Sequence, residues 1–367
     1  MANEVSYSTF NVEKLRQFTV EVFLKMGVPI NDAELAADVL IKADLRGIDS
    51  HGVARLSGYV RLWQKGRINP TPTIRIVHET PSTATIDGDA GLGLVVAPKA
   101  MEVAIAKAEN AGSGWISVKN SNHFGIAAYH AIMALEKDMI GMSMTNASPL
   151  VAPTFSTERM LGTNPICYAF PAGNFPPVIM DMATSAAANG KLEIAQRKDV
   201  EVPTGWIQDV QGYPTTDANG LKKGGSLLPL GSDRDHGSHK GFCLSSIVDI
   251  LSAVLSGASY GPWVPPFVAF LDPLENQPGQ GLGHFLGAMR VDGFRPANEF
   301  KEHMDNWIQR FKSAQTAPGY DSVIIPGEPE AAAEVERNQN GIPLISVVVE
   351  DLKCLSSKLG VEFPEEL

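Results

Sequence analysis

An apolar run at residues 114–118 passes directly into the polar segment 120–125, and the pattern predicts a helix immediately after it. The run is typical of a buried strand, and the polar segment places His123 where that strand ends. In open α/β sheets, ligands bind at the carboxyl ends of strands, and a helix start offers unpaired N–H groups. This transition restricts the chain to an α/β fold and predicts a functional site around His123.

A second histidine stands before another predicted helix. Asp49, Ser50 and His51 precede a helix that begins near residue 53, and Arg55 and Tyr59 lie one turn apart on one face of it. A guanidinium group matches a carboxylate in shape, and an imidazole moves protons near neutral pH. The alternative is that Asp49 or Ser50 only caps the helix. Two histidines placed in this way predict an active site.

Composition restricts the class of partner. The chain has 367 residues, of which 44% are hydrophobic, so it can bury a large core and form two or three domains. Its net charge is -11 and its lysines and arginines are not clustered, which argues against nucleic acid as the main partner. The three cysteines are far apart, so neither a disulfide framework nor a paired-cysteine zinc site is indicated.

The N-terminus and the apolar runs predict where the protein resides. The first four residues lack a basic region followed by an apolar core, so no signal peptide is expected. The longest apolar stretch, 243–271, is interrupted by Asp249 and by a proline-rich segment at 261–266. It is too broken to span a bilayer. We therefore expect a cytoplasmic protein with neither a membrane nor a nucleic acid as partner.

Periodicity predicts an N-terminal helical region followed by alternating strands and helices, which implies a mixed sheet with helices on its faces. Residues 201–236 are expected to form loops and short strands, and 259–285 a long loop. The predicted helices are 11–27, 31–46, one from about 53, 95–112, 238–257, 297–314 and 330–341. The predicted strands are 73–77, 83–87, 114–118, 140–145, 177–182 and 344–349.

Two common kinds of site are not indicated. The dinucleotide motif Gly-x-Gly-x-x-Gly is absent; the nearest match, Gly279-Gln-Gly281-Leu-Gly283, is followed by His284 and lacks a preceding strand, so it predicts a flexible loop. A metal site would need ligands at close spacing, as on one helix face. His51, His123, His239 and Asp181 do not have such spacing, so we predict no metal.

Other polar residues lie at strand ends and helix starts. Asp181 ends an apolar strand, where a carboxylate can orient a histidine; a helix cap formed by Asp181 or Thr184 is the alternative. His239 and Lys240 stand in a small-residue segment before a long helix, which suits a phosphate, although an ordinary capped helix would look similar. Thr163 lies between apolar runs and is a weaker indication of a hydrogen bond to a ligand.

Taken together, six motifs in this order resemble the type 2 malate/L-lactate dehydrogenase family, from about residue 10 to 350, and are most similar to its malate dehydrogenase members. The motifs are Asp49-Ser50-His51-Gly52 with Arg55 and Tyr59, Asn120 to Gly125, Leu161 to Pro165, Met180 to Ser185, His239 to Gly241, and Ile325 to Glu328. The resemblance implies an α/β fold of the non-Rossmann kind, in which a mixed sheet binds the nicotinamide dinucleotide and a helical domain stands at the N-terminus. It therefore accounts for the missing glycine motif.

The resemblance also implies an activity: hydride transfer between NAD or NADP and C2 of a 2-oxo or 2-hydroxy acid, with malate and oxaloacetate as the expected pair, in a homodimer. His51 corresponds to the proton donor, with Ser50 and Asp181 as relay partners. Arg55 corresponds to the clamp on the substrate carboxylate, and Tyr59 and His123 to further substrate-binding residues. The residues that correspond to the cofactor site are His123, Phe124, Gly125, Ile126, Ala127, Thr163, Asp181, Met182, Ala183, His239, Lys240, Gly241, Gly327, Glu328 and Pro329.

On this basis we expect three domains. An N-terminal helical domain, 1–72, carries the first motif and is joined by 297–317. An α/β domain combines 73–122 with 318–367, and the cofactor-binding mixed-sheet domain is 123–296.

Several functions remain open at this stage. Phe242-Cys243 and the segment 261–266 depart from the commoner family pattern, so the substrate can be another 2-oxo acid, lactate, sulfolactate, ureidoglycolate or a cyclic imine. An enzyme of another class, a metal-dependent hydrolase using His51, His123 and Asp181, is an alternative. A binding protein without activity that keeps the fold is a third.

Overall fold

The computed structural model describes residues 6–268 and 272–367. Its helices are α1 Val12–Lys25, α2 Ile30–Leu45, α3 Leu56–Gln64, α4 Gly93–Ala111, α5 Ala127–Ile132, α6 Asn189–Lys198, α7 Ser238–Asp249, α8 Ala297–Lys312, α9 Glu328–Asn340 and α10 Ser346–Leu359. Its strands are β1 Tyr7–Phe10, β2 Arg75–Glu79, β3 Thr83–Asp87, β4 Ser113–Ser121, β5 Met139–Thr145, β6 Ile166–Phe170, β7 Val178–Met182, β8 Ile207–Gln208, β9 Pro214–Thr215, β10 Ser226–Leu227, β11 Leu282–Arg290 and β12 Ile342–Ile345.

A seven-stranded mixed sheet forms the centre, in the order β2-β3-β4-β11-β5-β6-β7. Only the β3–β4 pair is parallel, and the other pairs of this sheet are antiparallel. The parallel pair is connected through α4, as a parallel crossover requires. The expected mixed-sheet α/β fold is therefore confirmed. Strands from both predicted segments, 73–122 and 123–296, lie in this one sheet.

Side chains of the sheet alternate between two apolar layers. On β4, Ile116 and Val118 face the alanine-rich helices α4 and α5, whereas Trp115 faces the opposite layer. On β5, Met142 and Met144 pack in that opposite layer against Val248 of α7. This alternation with period two explains why helices cover both faces.

The N-terminal helices form a second apolar core. Leu15, Phe18 and Val22 of α1 are buried there, as the helical spacing predicts. The C-terminus completes this cluster, because β1 pairs with β12 and Leu352 of α10 is buried in the same core.

The segment 297–317 was expected to join the N-terminal helices, but α8 packs elsewhere. Its Ile308 is buried against Val178 and Ile325, and its Asp305 accepts the N–H group of Gly173 at 2.9 Å. The apolar side of α8 therefore lies beside Val178, the first residue of β7. The domain boundaries themselves stay a prediction.

Two sequence expectations about strands were wrong. The predicted loop 259–285 contains the start of β11, which lies between β4 and β5 in the middle of the sheet. Gly283 and Gly287 concealed this strand: a Cβ on Gly283 would lie 2.0 Å from the carbonyl oxygen of Ser252, and one on Gly287 would lie 2.5 Å from the ring of Trp115. Close neighbours require glycine there. The predicted strand 344–349 ends at Ile345, where α10 begins.

Candidate active site

A short connection between α2 and α3 presents His51. The N–H of His51 donates to the carbonyl of Ile48 at 2.9 Å, and a single 3₁₀ turn, Val53–Arg55, leads into α3. No side-chain cap from Asp49 or Ser50 holds that turn among the described hydrogen bonds. Instead the hydroxyl of Ser50 lies 2.9 Å from Nδ1 of His51. The serine therefore contacts the imidazole rather than the helix start.

Arg55 is anchored by one nitrogen. Its Nε donates to the carbonyl of Ser50 at 2.6 Å, and no further partner of its guanidinium is found in the part of the chain that the structure describes. The two terminal nitrogens remain for a ligand, and they form the side of the fork that binds a carboxylate with two parallel hydrogen bonds.

His123 is held by Tyr59 and by its own loop. The Tyr59 hydroxyl lies 2.7 Å from Nδ1 of His123, and the backbone N–H of Gly125 donates to the same nitrogen at 3.3 Å. Because a backbone N–H can only donate, Nδ1 acts as the acceptor and the proton of the neutral ring is on Nε2. Burial raises the pKa of Tyr59, so its hydroxyl keeps its proton.

The two histidines lie face to face. The ring centroids of His51 and His123 are 5.6 Å apart and their planes differ by 21°. Desolvation, and then the charge of Arg55, lowers the pKa of His51 to about 4. Burial, followed by the nearby His51 and Arg55, lowers the pKa of His123 well below its usual value. Both rings are therefore neutral at pH 7 in the free protein.

Phe267 packs against His123 and Tyr59, and the sequence did not identify it. Its ring centroid lies 4.5 Å from that of His123 and 5.0 Å from that of Tyr59. A Cβ on Gly58 would lie 3.1 Å from the Phe267 ring, so the absence of a side chain on this turn of α3 admits the aromatic ring. The aromatic residue at the end of the proline-rich segment 261–266 was the available sequence signal.

A cavity adjoins the site. It measures about 440 Å³, and Ser50 and Arg55 form part of its wall. Lys198 and Glu193 of α6 line it as well, together with apolar residues of β12 and α10 such as Ile345. Small-ligand sites have volumes of roughly 300–1,000 Å³. The cavity is therefore large enough for a small organic acid bound by Arg55.

Asp181, near the end of β7, contacts the start of α5. Its carboxylate accepts the N–H of Ala128 at 2.8 Å, in the first turn of α5, so it caps that helix. Burial raises the pKa of Asp181 to about 6. The hydrogen bonds found within residues 6–268 and 272–367 do not join Asp181 to His51. Its relay role stays a prediction, and the observed contact ties β7 to the segment that follows His123.

The predicted cofactor segments meet around β7. Asp181 contacts Ala128, the residue that follows 123–127, and the carbonyl of Thr163 accepts the N–H of Thr184 at 2.9 Å. On the other side, a Cβ on Gly327 would lie 2.9 Å from the side chain of Ile179, and Gly327 has φ +90°. A glycine is therefore required where the 325–329 turn approaches the strand. The side chain of Glu328 closes this turn by accepting the N–H of Ile325 at 3.0 Å.

The start of α7 joins the same region through Leu230. The N–H of Leu230 donates to the carbonyl of Thr184 at 2.9 Å, and a Cβ on Gly241 would lie 2.2 Å from the carbonyl oxygen of Leu230. His239 bonds to Arg234 at 2.8 Å, and the side chain of Lys240 is exposed. The positive charges of Arg234 and Lys240 beside a helix N-terminus fit the pyrophosphate of a dinucleotide.

The prediction of a loop from Gly279 to Gly283 also needs correction, because β11 begins at Leu282. His284 is fully buried on β11, where its Nδ1 lies 2.8 Å from the Thr145 hydroxyl and its Nε2 lies 2.8 Å from the Ser121 hydroxyl. Burial lowers its pKa to about 3, so the ring is neutral. His284 stacks on Phe124, with centroids 4.8 Å apart, and so supports the segment that follows His123.

Two further properties concern metals and membranes. Within the described ranges, no group of three or more His, Cys, Asp or Glu side chains has a geometry that could hold a metal ion.

None of the described helices has the length and apolar character needed to cross a bilayer.

Comparisons with known proteins agree with this architecture. The model of the malate/L-lactate dehydrogenase family matches residues 10–353. A malate dehydrogenase of Pyrococcus horikoshii is 43% identical over 351 residues, which cover 95% of each chain. An L-sulfolactate dehydrogenase of Methanocaldococcus jannaschii is 39% identical and covers 96% of this chain and 98% of its own. The crystal structure of a malate dehydrogenase from Entamoeba histolytica superposes with a TM-score of 0.90 at 35% identity, over 98% of this chain and 100% of that one.

The mixed sheet and the two facing histidines beside an anchored arginine are the setting in which this family match falls. The chain belongs to the type 2 malate/L-lactate dehydrogenase family and is a 2-hydroxyacid dehydrogenase. It therefore uses a nicotinamide cofactor. Family membership also decides against the metal-dependent hydrolase that the sequence left open. The cytoplasmic location stays a prediction.

Proposed function

We propose that the protein interconverts malate and oxaloacetate, with His51 as the group that moves the proton. The observation that carries this proposal is the placement of His51 beside Arg55: one group exchanges a proton, and the other binds a carboxylate next to it. The relatives named malate dehydrogenase support the choice of substrate. When bound, the cofactor supplies or accepts the hydride at C2.

The residues have separate roles in this reaction. The free fork of Arg55 holds the C1 carboxylate, which directs the C2 oxygen toward the two imidazoles. In the oxidation, neutral His51 accepts the hydroxyl proton; in the reduction, protonated His51 returns it to the carbonyl oxygen. Nε2 of His123 carries a proton and donates a hydrogen bond to the same oxygen, and Tyr59 fixes that orientation.

Substrate binding changes the basicity of His51. In the free protein, the positive charge of Arg55 is one of the two causes that lower the pKa of His51. A carboxylate bound to Arg55 neutralises that charge, so the pKa of His51 rises in the complex. The oxo acid thereby promotes protonation of the group that must donate a proton to it.

The cofactor is proposed to bind along β7. The supporting residues are the exposed Lys240 with His239 for the pyrophosphate, the backbone at 181–183 and 123–127, and the turn at Gly327. Thr163 lies beside this strand and is proposed to contact the ribose or carboxamide. NAD and NADP are both compatible with these contacts.

The decisive experiment is a panel of 2-oxo acids assayed with NADH and with NADPH. The panel contains oxaloacetate, pyruvate, sulfopyruvate and a cyclic imine carboxylate, and the sulfopyruvate arm is included because of the L-sulfolactate dehydrogenase relative. The proposal expects the highest kcat/KM for oxaloacetate. A higher value for another acid would reassign the substrate, and no turnover of any acid would refute the proposal.

We also propose that the protein is a homodimer. Large apolar side chains remain exposed along α7 and the turn after it, where Ile247, Ile250, Val254 and Leu255 are 46%, 53%, 50% and 58% exposed. Their spacing places them on one side, and a second copy would cover it. Light scattering of the wild type should give twice the chain mass, and Ile250→Glu with Val254→Glu should give the monomer.

A further inference from the structure

The connection that carries His51 is built around a buried carboxyl group, that of Asp44 in the last turn of α2. Asp44 is completely buried, and its Oδ2 accepts the N–H of Val53 at 2.8 Å. Val53 opens the 3₁₀ turn two residues after His51. The carboxyl group thus caps the turn from beneath, across nine residues of sequence.

The other carboxyl oxygen occupies the place of a side chain. A Cβ on Gly52 would lie 1.9 Å from Oδ1 of Asp44. Any side chain at position 52 would therefore collide with the Asp44 carboxyl group. The two residues are complementary in shape.

This arrangement has an energetic cost. Oδ1 of Asp44 has no hydrogen-bond partner among the described residues, and a buried polar atom without a partner is destabilising. Burial raises the pKa of Asp44 well above its usual value, which favours the neutral form and reduces the cost of burial. A leucine or an alanine would remove the unpartnered oxygen but would leave the Val53 N–H without its acceptor, so the contact with Val53 accounts for the carboxyl group.

Contacts from α9 and from the turn after α2 also stabilise the connection between α2 and α3. Arg337 of α9 donates to the carbonyl of Asp44 and pairs with the carboxylate of Asp49. The N–H of Gly47 also donates to the carbonyl of Asp44, at 3.0 Å. Residue 44 therefore joins α2, the His51 connection and α9.

We propose that Asp44 is a positioning residue: by accepting the Val53 N–H and filling the space beneath Gly52, its carboxyl group sets the distance of His51 from His123 and Arg55. The inference rests on the proposed function of His51 in proton transfer. Asp44 is remote from the substrate and acts only through the backbone. A displacement of a reacting group by about 1 Å can cost roughly 100-fold in rate.

The test compares two variants at position 44, one at position 52 and one control. Asp44→Ala removes the acceptor, and Asp44→Asn keeps an oxygen for the Val53 N–H at nearly the same volume. Thr19→Ala is the control, because Thr19 is also fully buried in this helical core and bonds to a backbone carbonyl, that of Leu15, at 2.8 Å. Gly52→Ala pushes on the same carboxyl group from the other side.

We expect kcat to fall by about 10- to 100-fold in Asp44→Ala and in Gly52→Ala, with the NADH Kd unchanged. Asp44→Asn should restore most of kcat, and Thr19→Ala should lower the melting temperature without lowering kcat. Wild-type kcat in Gly52→Ala, or a loss in Asp44→Asn as large as that in Asp44→Ala, would overturn the proposal.

Hydrogen exchange separates this proposal from the proposed function. The Val53 amide should exchange faster in Asp44→Ala and Gly52→Ala, and at the wild-type rate in Asp44→Asn and Thr19→Ala. Unchanged exchange in both of the first two variants would refute the positioning role. If the wild type reduces none of the oxo acids, the proposed function fails, and the exchange rates still decide whether Asp44 holds the connection. Should Asp44→Ala not fold, Gly52→Ala carries both measurements.

Discussion

The imidazole of His51 lies nearly parallel to that of His123, with ring centroids 5.6 Å apart. The two residues are distant in sequence, one before α3 and the other after β4. In the proposed complex, their contact would place two exchangeable protons on the same side of the acid. It also means that either ring is a candidate for the proton transfer, and substitution can separate them.

His51→Gln should lower kcat by about 100-fold or more and leave the NADH Kd unchanged, because a general acid–base group contributes roughly that much. His123→Gln should raise KM as well as lower kcat, since that ring orients the C2 oxygen. The exposed His78, on the edge strand β2, provides the control His78→Gln. Normal turnover in His51→Gln with an inactive His123→Gln would transfer the role to His123.

Arg55→Lys should raise KM for the oxo acid and change kcat less, because lysine offers a single charge in place of a two-pronged planar contact. Arg75 lies on β2, away from the cavity, and its side chain is 60% exposed, so Arg75→Lys is the control. The methyl ester of the substrate should be poor for the wild type and lose little more in Arg55→Lys. An equal rise in KM for the acid and the ester would show that Arg55 does not bind the substrate carboxylate.

The pH dependence of malate oxidation should follow the pKa of His51, about 4 in the free protein. The neutral ring is the form that accepts a proton, so kcat/KM should be level at pH 7 and fall as the pH drops through about 4. The corresponding decline in kcat should occur at higher pH, because bound carboxylate neutralises Arg55. Arg55→Gln should move the kcat/KM decline to higher pH. A profile that is identical in the wild type and this variant would contradict the coupling.

Lys240→Ala should weaken NADH binding more than substrate binding, since a cation at the start of α7 is proposed to contact the pyrophosphate. Lys223 is an equally accessible lysine that pairs with Asp217 at 2.6 Å, and Lys223→Ala serves for comparison. Fluorescence titration measures the two dissociation constants. An NADH Kd in Lys240→Ala equal to that in Lys223→Ala would show that Lys240 does not contact the cofactor.

The buried His284 should make the fold sensitive to acid. Its pKa is about 3 in the folded protein against 6.5 when exposed, so below pH 6.5 the unfolded chain binds a proton that the folded chain does not. The free energy of unfolding should therefore decrease as the pH falls from 6.5, by about 1.4 kcal/mol per pH unit from this residue. His284→Gln should lack that contribution, which denaturant titrations at pH 7.5 and 5 measure. Equal pH dependence in both proteins would mean that His284 is protonated when folded.

Much of the N-terminal region could be predicted because its periodicity reports burial directly. Leu15, Phe18, Val22 and Met26 follow a helical spacing, and all four are in the core. The site motifs could also be located, because polar residues at the end of an apolar run are conspicuous. The sequence did not indicate which of these residues touch one another.

The sequence by itself determined the α/β class, the positions of His51, Arg55 and His123 beside helix starts, and the family. Only the tertiary structure decided that β11 lies at the centre of the sheet, since Gly283 and Gly287 are required by neighbours distant in sequence and look like loop residues. It likewise placed Asp181 on Ala128, Phe267 over His123, and the Asp44 carboxyl group beneath Gly52. The physical reason is the same in each case: local sequence reports how a segment distributes its apolar residues, whereas a contact depends on which segments the packed core brings within a few ångströms.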